Sequence, residues 1–333
     1  MNVGMWGRAL ITIQRVDRAA WQRLDIVSRW LIVARASVLV ITFISVAIAG
    51  LLAIRAGRFD APLWVLSALA LLLAHATNNL LNDLTDHLKG VDKNNYFRAI
   101  YGPHALEHQL LSTRGLLAYA AFSGLIALAI GGYLVSVRGP LALALFAAGA
   151  FFVLFYTWPL KYIGLGEVAV LLVWGPLMIG GTYFVVSGVW DWDVALVGLP
   201  YALGATTVIF GKHIDKLEDD RARGIHTLPV LIGERAARWT IGAMIVLMYA
   251  TVVYLVIIGF VSPVVLVVFF ALPRARTALD LFSKPRPTER PEHWPAFVWP
   301  LYFVRAAFSH NRRFGLLLLV GLAGDVALRL LLR

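Results

Sequence analysis

Apolar residues along this chain fall into nine long runs, 30–54, 62–84, 114–135, 139–158, 166–188, 194–213, 237–258, 260–275 and 314–332, separated by polar stretches. A bilayer hydrocarbon core of about 30 Å takes roughly 20 apolar residues in a helix. The pattern predicts an all-α chain of nine transmembrane helices. The eighth is the shortest, with Pro263 placed to start it and Pro273 to end it. Two segments read differently. Residues 6–29 set Trp6, Leu10, Ile11, Ile13, Trp21, Leu24 and Ile26 among Arg and Asp, the pattern of a helix lying on a membrane surface. Residues 283–298 hold four prolines and read as a loop. The expected organisation is an interfacial segment, 1–29, followed by one membrane domain, 30–333.

Lysine and arginine orient the bundle. Twenty-four of the 30 fall in the N-terminal segment and in the loops after the even-numbered runs. Only Arg55, Arg58, Arg138, Arg329 and Arg333 fall on the other side, and Arg35 lies inside the first run. The asymmetry predicts a cytoplasmic N-terminus, an external C-terminus and a multi-pass protein of a prokaryotic cell membrane. Composition agrees. The chain is 60% hydrophobic and 15% charged, with a mean hydropathy of +0.76. Soluble domains carry about 25% charged residues. The net charge of +11 then reflects loop topology, and no nucleic-acid partner is expected. The absence of cysteine excludes disulfides and thiolate chemistry. Arginines at 8, 15, 18 and 23 interrupt the N-terminus, so it is not expected to be a cleavable signal.

Two acidic clusters end apolar runs on the positive side. In the first, His75, Asn79, Asn82, Asp83 and Asp86 fall at helical spacing on one stripe, while Asn78 and Thr85 lie off it. Gly90 is placed to cap this helix and let Asp92 fold back. Polar groups at membrane depth are costly unless something pairs with them. An oxygen-only donor set suits Mg²⁺, which favours carboxylates and substrate phosphates. In the second cluster Asp215 and Asp219 share a face one turn apart, with Glu218 beside them and Lys212 a turn before; Asp220 points elsewhere. Each cluster alone also reads as a solvated or salt-bridged helix end. Together they suggest carboxylates facing each other across Mg²⁺ ions that bridge a diphosphate. Lys89, Lys93, Arg98, Lys161 and Lys212 are then placed to stabilise leaving-group charge. That chemistry is ionisation of an allylic diphosphate, with the apolar helices holding its tail.

The stretch N-x-x-N-D-x-x-D-x-x-x-G-x-D, at Asn79, Asn82, Asp83, Asp86, Gly90 and Asp92, resembles the first Asp-rich motif of the UbiA superfamily of intramembrane prenyltransferases. The form is similar to that of its 1,4-dihydroxy-2-naphthoate polyprenyltransferase branch. Residues 155–188, with Tyr156, Pro159, Gly164, Gly166 and Glu167, and residues 215–233 carry the resemblance further. The Asn pair and Arg that usually precede the second motif in that branch are Gly211, Lys212, His213 and Ile214 here. The resemblance implies nine helices around a central cavity with a cytoplasmic cap. It implies that Asn82, Asp83, Asp86 and Asp92, with Asp215 and Asp219, hold Mg²⁺. Asn79, Lys89, Arg98, Lys161, Lys212 and Arg221 would contact diphosphate, and Tyr156 would face the allylic cation. The implied partners are a polyprenyl diphosphate, an aromatic quinone-precursor acceptor and membrane lipids. Three alternatives stand beside this: the same fold with a lipid or porphyrin-like acceptor, internal cyclisation of the cation, and a non-enzymatic transporter. Transport predicts charges at the bilayer midplane, whereas these carboxylates lie at helix ends.

Overall fold

The computed structural model describes residues 2–91, 104–292, 294–296 and 298–332, and all regular structure among them is helical. Three short helices, α1 (Val3–Ile11), α2 (Arg18–Gln22) and α3 (Ile26–Val33), precede a single 3₁₀ turn, Ala36–Val38. Then follow α4 (Val40–Arg55), α5 (Ala61–Leu88), α6 (Thr113–Arg138) and α7 (Pro140–Phe155). A broken helix comes next: α8 (Gly166–Leu172), a π-helical segment (Val173–Gly180) and α9 (Gly181–Ser187). The chain continues through α10 (Trp192–Asp215), α11 (Leu217–Ala222), α12 (Leu228–Ile232) and α13 (Glu234–Ile257). It ends with a 3₁₀ stretch (Pro263–Ala271), α14 (Leu272–Phe282) and α15 (Phe303–Leu331).

Seven of these helices are long and apolar enough to cross a membrane. The fourth run forms a helix of only 16 residues, and the eighth a 3₁₀ stretch that passes into polar α14. The first run does not start as one helix. Arg35 adopts the left-handed conformation (φ 57°, ψ 51°), which separates α3 from α4. A bulky residue rarely holds that region without tertiary support. The ninth run begins eleven residues earlier than its hydropathy suggests, at Phe303 rather than residue 314. His310 and Asn311, polar on paper, are fully buried in it, and His310 Nε2 lies 3.0 Å from the Tyr249 hydroxyl.

Helix α10 forms the centre, packed against α13, α15 and the π-helical segment. In membranes close backbone approach replaces hydrophobic collapse as the source of packing energy, so small residues matter there. A Cβ at Gly211 would stand 3.0 Å from backbone atoms of Phe303 and Val304, so only glycine lets α10 meet the start of α15.

Candidate functional site

Helix α5 builds one wall of the site. Asp60 accepts the Leu63 N–H at its start. At its end Gly90 takes a positive φ, and the Val91 N–H reaches the Asp86 carbonyl at 2.8 Å, the expected glycine cap. Both Ser67 and Asn82 border a cavity of about 400 Å³. That cavity therefore runs along the helix for about 22 Å, roughly three quarters of a hydrocarbon core. Its length is walled by apolar and small residues of α5, α6, α7 and the broken helix, including Gly124, Gly131, Gly149 and Ala150. One end is polar, with Arg35, Asn78, Asn79, Asn82, Tyr156 and Lys212.

Behind that end the stripe on α5 is almost dry, with Asp83 and Asp86 only 1% and 5% exposed. Each carboxylate has a cation. Arg35 Nη2 lies 3.1 Å from Asp83 Oδ1 and also donates to the Asn79 carbonyl at 2.9 Å. The Asn79 amide returns a bond to the Ala34 carbonyl at 3.0 Å. The left-handed turn at Arg35 is thus pinned to α5 on both sides. Lys161 Nζ reaches both oxygens of Asp86, at 2.7 and 3.0 Å. Asn82 donates to Asp86 Oδ2 at 3.2 Å and accepts from the Thr157 hydroxyl at 3.2 Å. Breaking such a buried pair costs more than forming it gains, so these contacts fix geometry. Asn78, expected off the stripe, also borders the cavity and donates to the Val153 carbonyl at 2.9 Å. His75 acts as a helix contact, its Nδ1 2.7 Å from the Thr42 hydroxyl and its ring edge-on to Trp174.

The second wall comes from the segment 156–167 and from α10. Gly166 packs on the Lys161 backbone, where a Cβ would stand 3.3 Å from its Cα, and against the Tyr156 ring. Tyr156 and Lys212 both border the cavity. Glu167, fully buried, meets His213 Nδ1 at 2.5 Å and accepts the Leu228 N–H at 3.3 Å. It ties α8, α10 and α12 together and stands off the cavity.

The second acidic cluster differs from its expected geometry. Asp215 and Asp219 were expected to share a face, but the helix stops at Lys216 (φ −110°, ψ 11°), so one register does not run through both. The Asp215 carboxylate accepts three backbone N–H bonds, from Tyr302, Phe303 and Val304, each at 3.0 Å, with Arg286 at 3.5 Å. It caps α15, where the N–H groups lack helical partners and the helix dipole favours an anion. Asp219 is exposed beside Arg223, and Arg221 is exposed beside Glu218. None of the three reaches the cavity. Asp220, read as pointing away, is buried, with Lys216 Nζ at 3.5 Å. Lys89 lies over the rings of Trp158 and Tyr162, at 4.9 and 4.6 Å from their centroids, rather than on the cavity wall. Asp92, Lys93 and Arg98 lie outside the described residues.

Arg35 had a legible signal: it is the lone charge within an apolar run, which marks a functional position by default. Thr157 had none. Among the described residues no three His, Asp or Glu side chains converge as a ready metal cage. The donor set of Asn82, Asp83 and Asp86 nevertheless fits Mg²⁺. It offers oxygen only, and protein cations already sit on both carboxylates, so the position attracts positive charge. Phosphate oxygens and water would complete such a shell.

Residues 43–303 match the model of the UbiA prenyltransferase family. Over 192 residues the chain is 33% identical to UbiA prenyltransferase domain-containing protein 1 of Gallus gallus, covering 56% of this chain and 57% of that one. The chain spans about half the length of the first curated relatives it matches. It is 24% identical over 291 residues to the 1,4-dihydroxy-2-naphthoate octaprenyltransferase of Bacillus subtilis, covering 86% and 90%. In fold it resembles a UbiA homologue of Archaeoglobus fulgidus solved with GPP and Mg²⁺, with a TM-score of 0.52, 13% identity, and 87% and 99% coverage.

Proposed function

The chain belongs to the UbiA prenyltransferase family, and on that premise we propose that it moves a polyprenyl group from its diphosphate to an aromatic, quinone-precursor-like acceptor with Mg²⁺. The observation that carries this is the cavity: about 22 Å of apolar wall along α5, ending in Lys212 and Tyr156 with the paired carboxylates Asp83 and Asp86 behind that end. A molecule with an anionic head and a long apolar tail matches both ends. A soluble metabolite would leave the wall unused. The match to a dihydroxynaphthoate octaprenyltransferase over most of both chains supports the aromatic acceptor. Charge asymmetry supports a cytoplasmic mouth, and the Arg-flanked apolar pattern of residues 1–29 supports an interfacial role for that segment.

The residues divide the work. Lys161 and Lys212 bind diphosphate oxygens, and Asn82, Asp83 and Asp86 hold Mg²⁺, which when bound neutralises charge on the leaving group. Asp92 and Arg98 remain assigned to the metal and the diphosphate by resemblance. Arg35 and Thr157 act through others, orienting Asp83 and Asn82. The allylic C–O bond breaks and its electron pair leaves with the diphosphate. Charge grows on oxygens already facing fixed ammonium groups, so little reorganisation is needed. Tyr156 sits at the boundary of the polar and apolar ends, where its ring faces the developing carbocation. The apolar wall excludes water, which would otherwise trap the cation as an alcohol. A nucleophilic carbon of the acceptor forms the new C–C bond and then loses its proton.

The test is direct. Purified protein in nanodiscs, given labelled geranylgeranyl diphosphate, Mg²⁺ and a panel of acceptors, should form a prenylated aromatic product and release pyrophosphate. Pyrophosphate release equal with and without every aromatic acceptor would end the acceptor assignment. No release under any condition would end the enzymatic one.

A further inference from the structure

We propose that Glu167 and His213 are a positioning pair that sets the spacing of the two diphosphate-binding ammonium groups, Lys161 and Lys212. This rests on the prenyltransferase reading.

The two lysines come from separate elements. Lys161 stands in the segment between α7 and α8, and Lys212 in the last turn of α10. A diphosphate held by both needs them at a fixed separation, because a displacement of about 1 Å at a binding group is enough to spoil the reacting geometry. Each lysine is also tied elsewhere. Asp86 holds Lys161 against α5, and Asp215 holds α10 against α15. Neither tie joins one lysine to the other.

The Glu167–His213 pair does. Glu167 directly follows Gly166, which packs on the Lys161 backbone and the Tyr156 ring. His213 directly follows Lys212. Successive residues of a helix point about 100° apart, so α10 presents Lys212 to the cavity and His213 to α8. His213 Nδ1 then meets Glu167 Oε1 at 2.5 Å, with the two side chains only 2% and 1% exposed. The other oxygen, Glu167 Oε2, accepts the Leu228 N–H at 3.3 Å, so the carboxylate is held at both ends. The route from one ammonium-bearing backbone to the other is therefore short: Lys161, Gly166, Glu167, His213, Lys212. A buried polar pair of this kind adds little net stability, but its length and angles tolerate little error. An apolar contact in the same place would let α8 and α10 slide. The pair touches no substrate and acts through the lysines.

A double-mutant cycle on the full chain in nanodiscs tests this. Labelled geranylgeranyl S-thiolodiphosphate, whose C–S bond resists ionisation, is bound with Mg²⁺ to the native protein, His213→Ala, Lys212→Met and the double variant. His213→Ala should weaken binding about tenfold, the scale of one charge-assisted contact. In the Lys212→Met background the same change should cost less than about twofold, because the lysine that it positions is gone. Inorganic pyrophosphate, used as a competitor, should lose affinity by the same factor as the analogue. Asp325→Asn, which loosens a buried pair with Arg55 at the far end of α15, controls for general destabilisation and should leave binding unchanged. If His213→Ala does not fold, the nearly isosteric Glu167→Gln goes through the same cycle. Native affinity in a folded variant, equal losses with and without Lys212, pyrophosphate binding left intact, or an equal loss in Asp325→Asn each overturns the proposal. Failure of the native chain to bind the analogue at any Mg²⁺ level overturns the prenyltransferase reading itself, a separate result.

Discussion

Lys161 holds Asp86 by both carboxylate oxygens, at 2.7 and 3.0 Å, across 75 residues of sequence and with almost no water at either side chain. The pair stands behind the polar end of the cavity, formed by Asn82, Tyr156 and Lys212, and sets the ammonium beside the carboxylates that would receive a metal. Its disruption should separate stability from turnover. Lys161→Met leaves Asp86 buried and uncompensated, which should cost about 3–5 kcal/mol in detergent melts. The double variant with Asp86→Asn should recover most of that stability. Turnover should stay at least about a hundredfold down in both, since the charge that meets the diphosphate is gone. Recovery of turnover along with stability would contradict the assignment.

Asp215 and Asp219 should behave as different kinds of residue. Asp215→Ala orphans three N–H groups at the start of α15 and should cost about 3 kcal/mol or more. Asp219→Asn, on the exposed surface, should change stability by less than about 0.5 kcal/mol and leave kcat/KM unaltered. A large turnover defect in Asp219→Asn would return that carboxylate to the active site.

Chain-length preference should be adjustable at Gly149. It borders the cavity, and a Cβ there meets nothing within 4 Å. It lies seven residues, about 10 Å, before Tyr156. Gly149→Phe should leave turnover of a dimethylallyl donor within twofold or so and raise KM for a geranylgeranyl donor about tenfold or more, the cost of an obstructed apolar slot. Equal effects on both donors would mean that the tail runs elsewhere.

The N-terminal helices should loosen in acid. The Ser28 N–H, chiefly, with Trp6 and Asn2, holds the Asp25 carboxyl well below the usual aspartate range despite a smaller opposing desolvation. Because the folded group ionises at lower pH than the unfolded one, its contribution is complete above roughly pH 4 and fades as pH falls below that. Hydrogen exchange in residues 3–11, corrected for intrinsic rates, should lose protection on acidification. Asp25→Asn should show the same loss at neutral pH. Protection independent of both would place the anchoring of α1 elsewhere.

Much of the bundle and of the α5 wall was legible because period and charge are local. The stripe of Asn79, Asn82, Asp83 and Asp86 arises from 3.6 residues per turn, and the Gly90 cap from the need for positive φ. The features that escaped were set by partners far along the chain. Arg35 interrupts its helix because Asp83 and the Asn79 carbonyl hold its guanidinium. Asp215 looks like a ligand until α15 arrives to take its oxygens, and no spacing rule announces that Tyr302 lies 87 residues downstream. Helix α15 starts early because His310 and Asn311 find burial among Tyr249 and α10, which hydropathy counts as cost.

Lys212 and Asp215 lie within one turn of α10, one on the cavity wall and the other clasping the first N–H groups of α15. Turning α10 far enough to withdraw the ammonium would tear the carboxylate from all three donors. The lysine is thereby locked against rotation by a latch on its own helix, and a binding charge is kept in place by a joint that never meets the substrate.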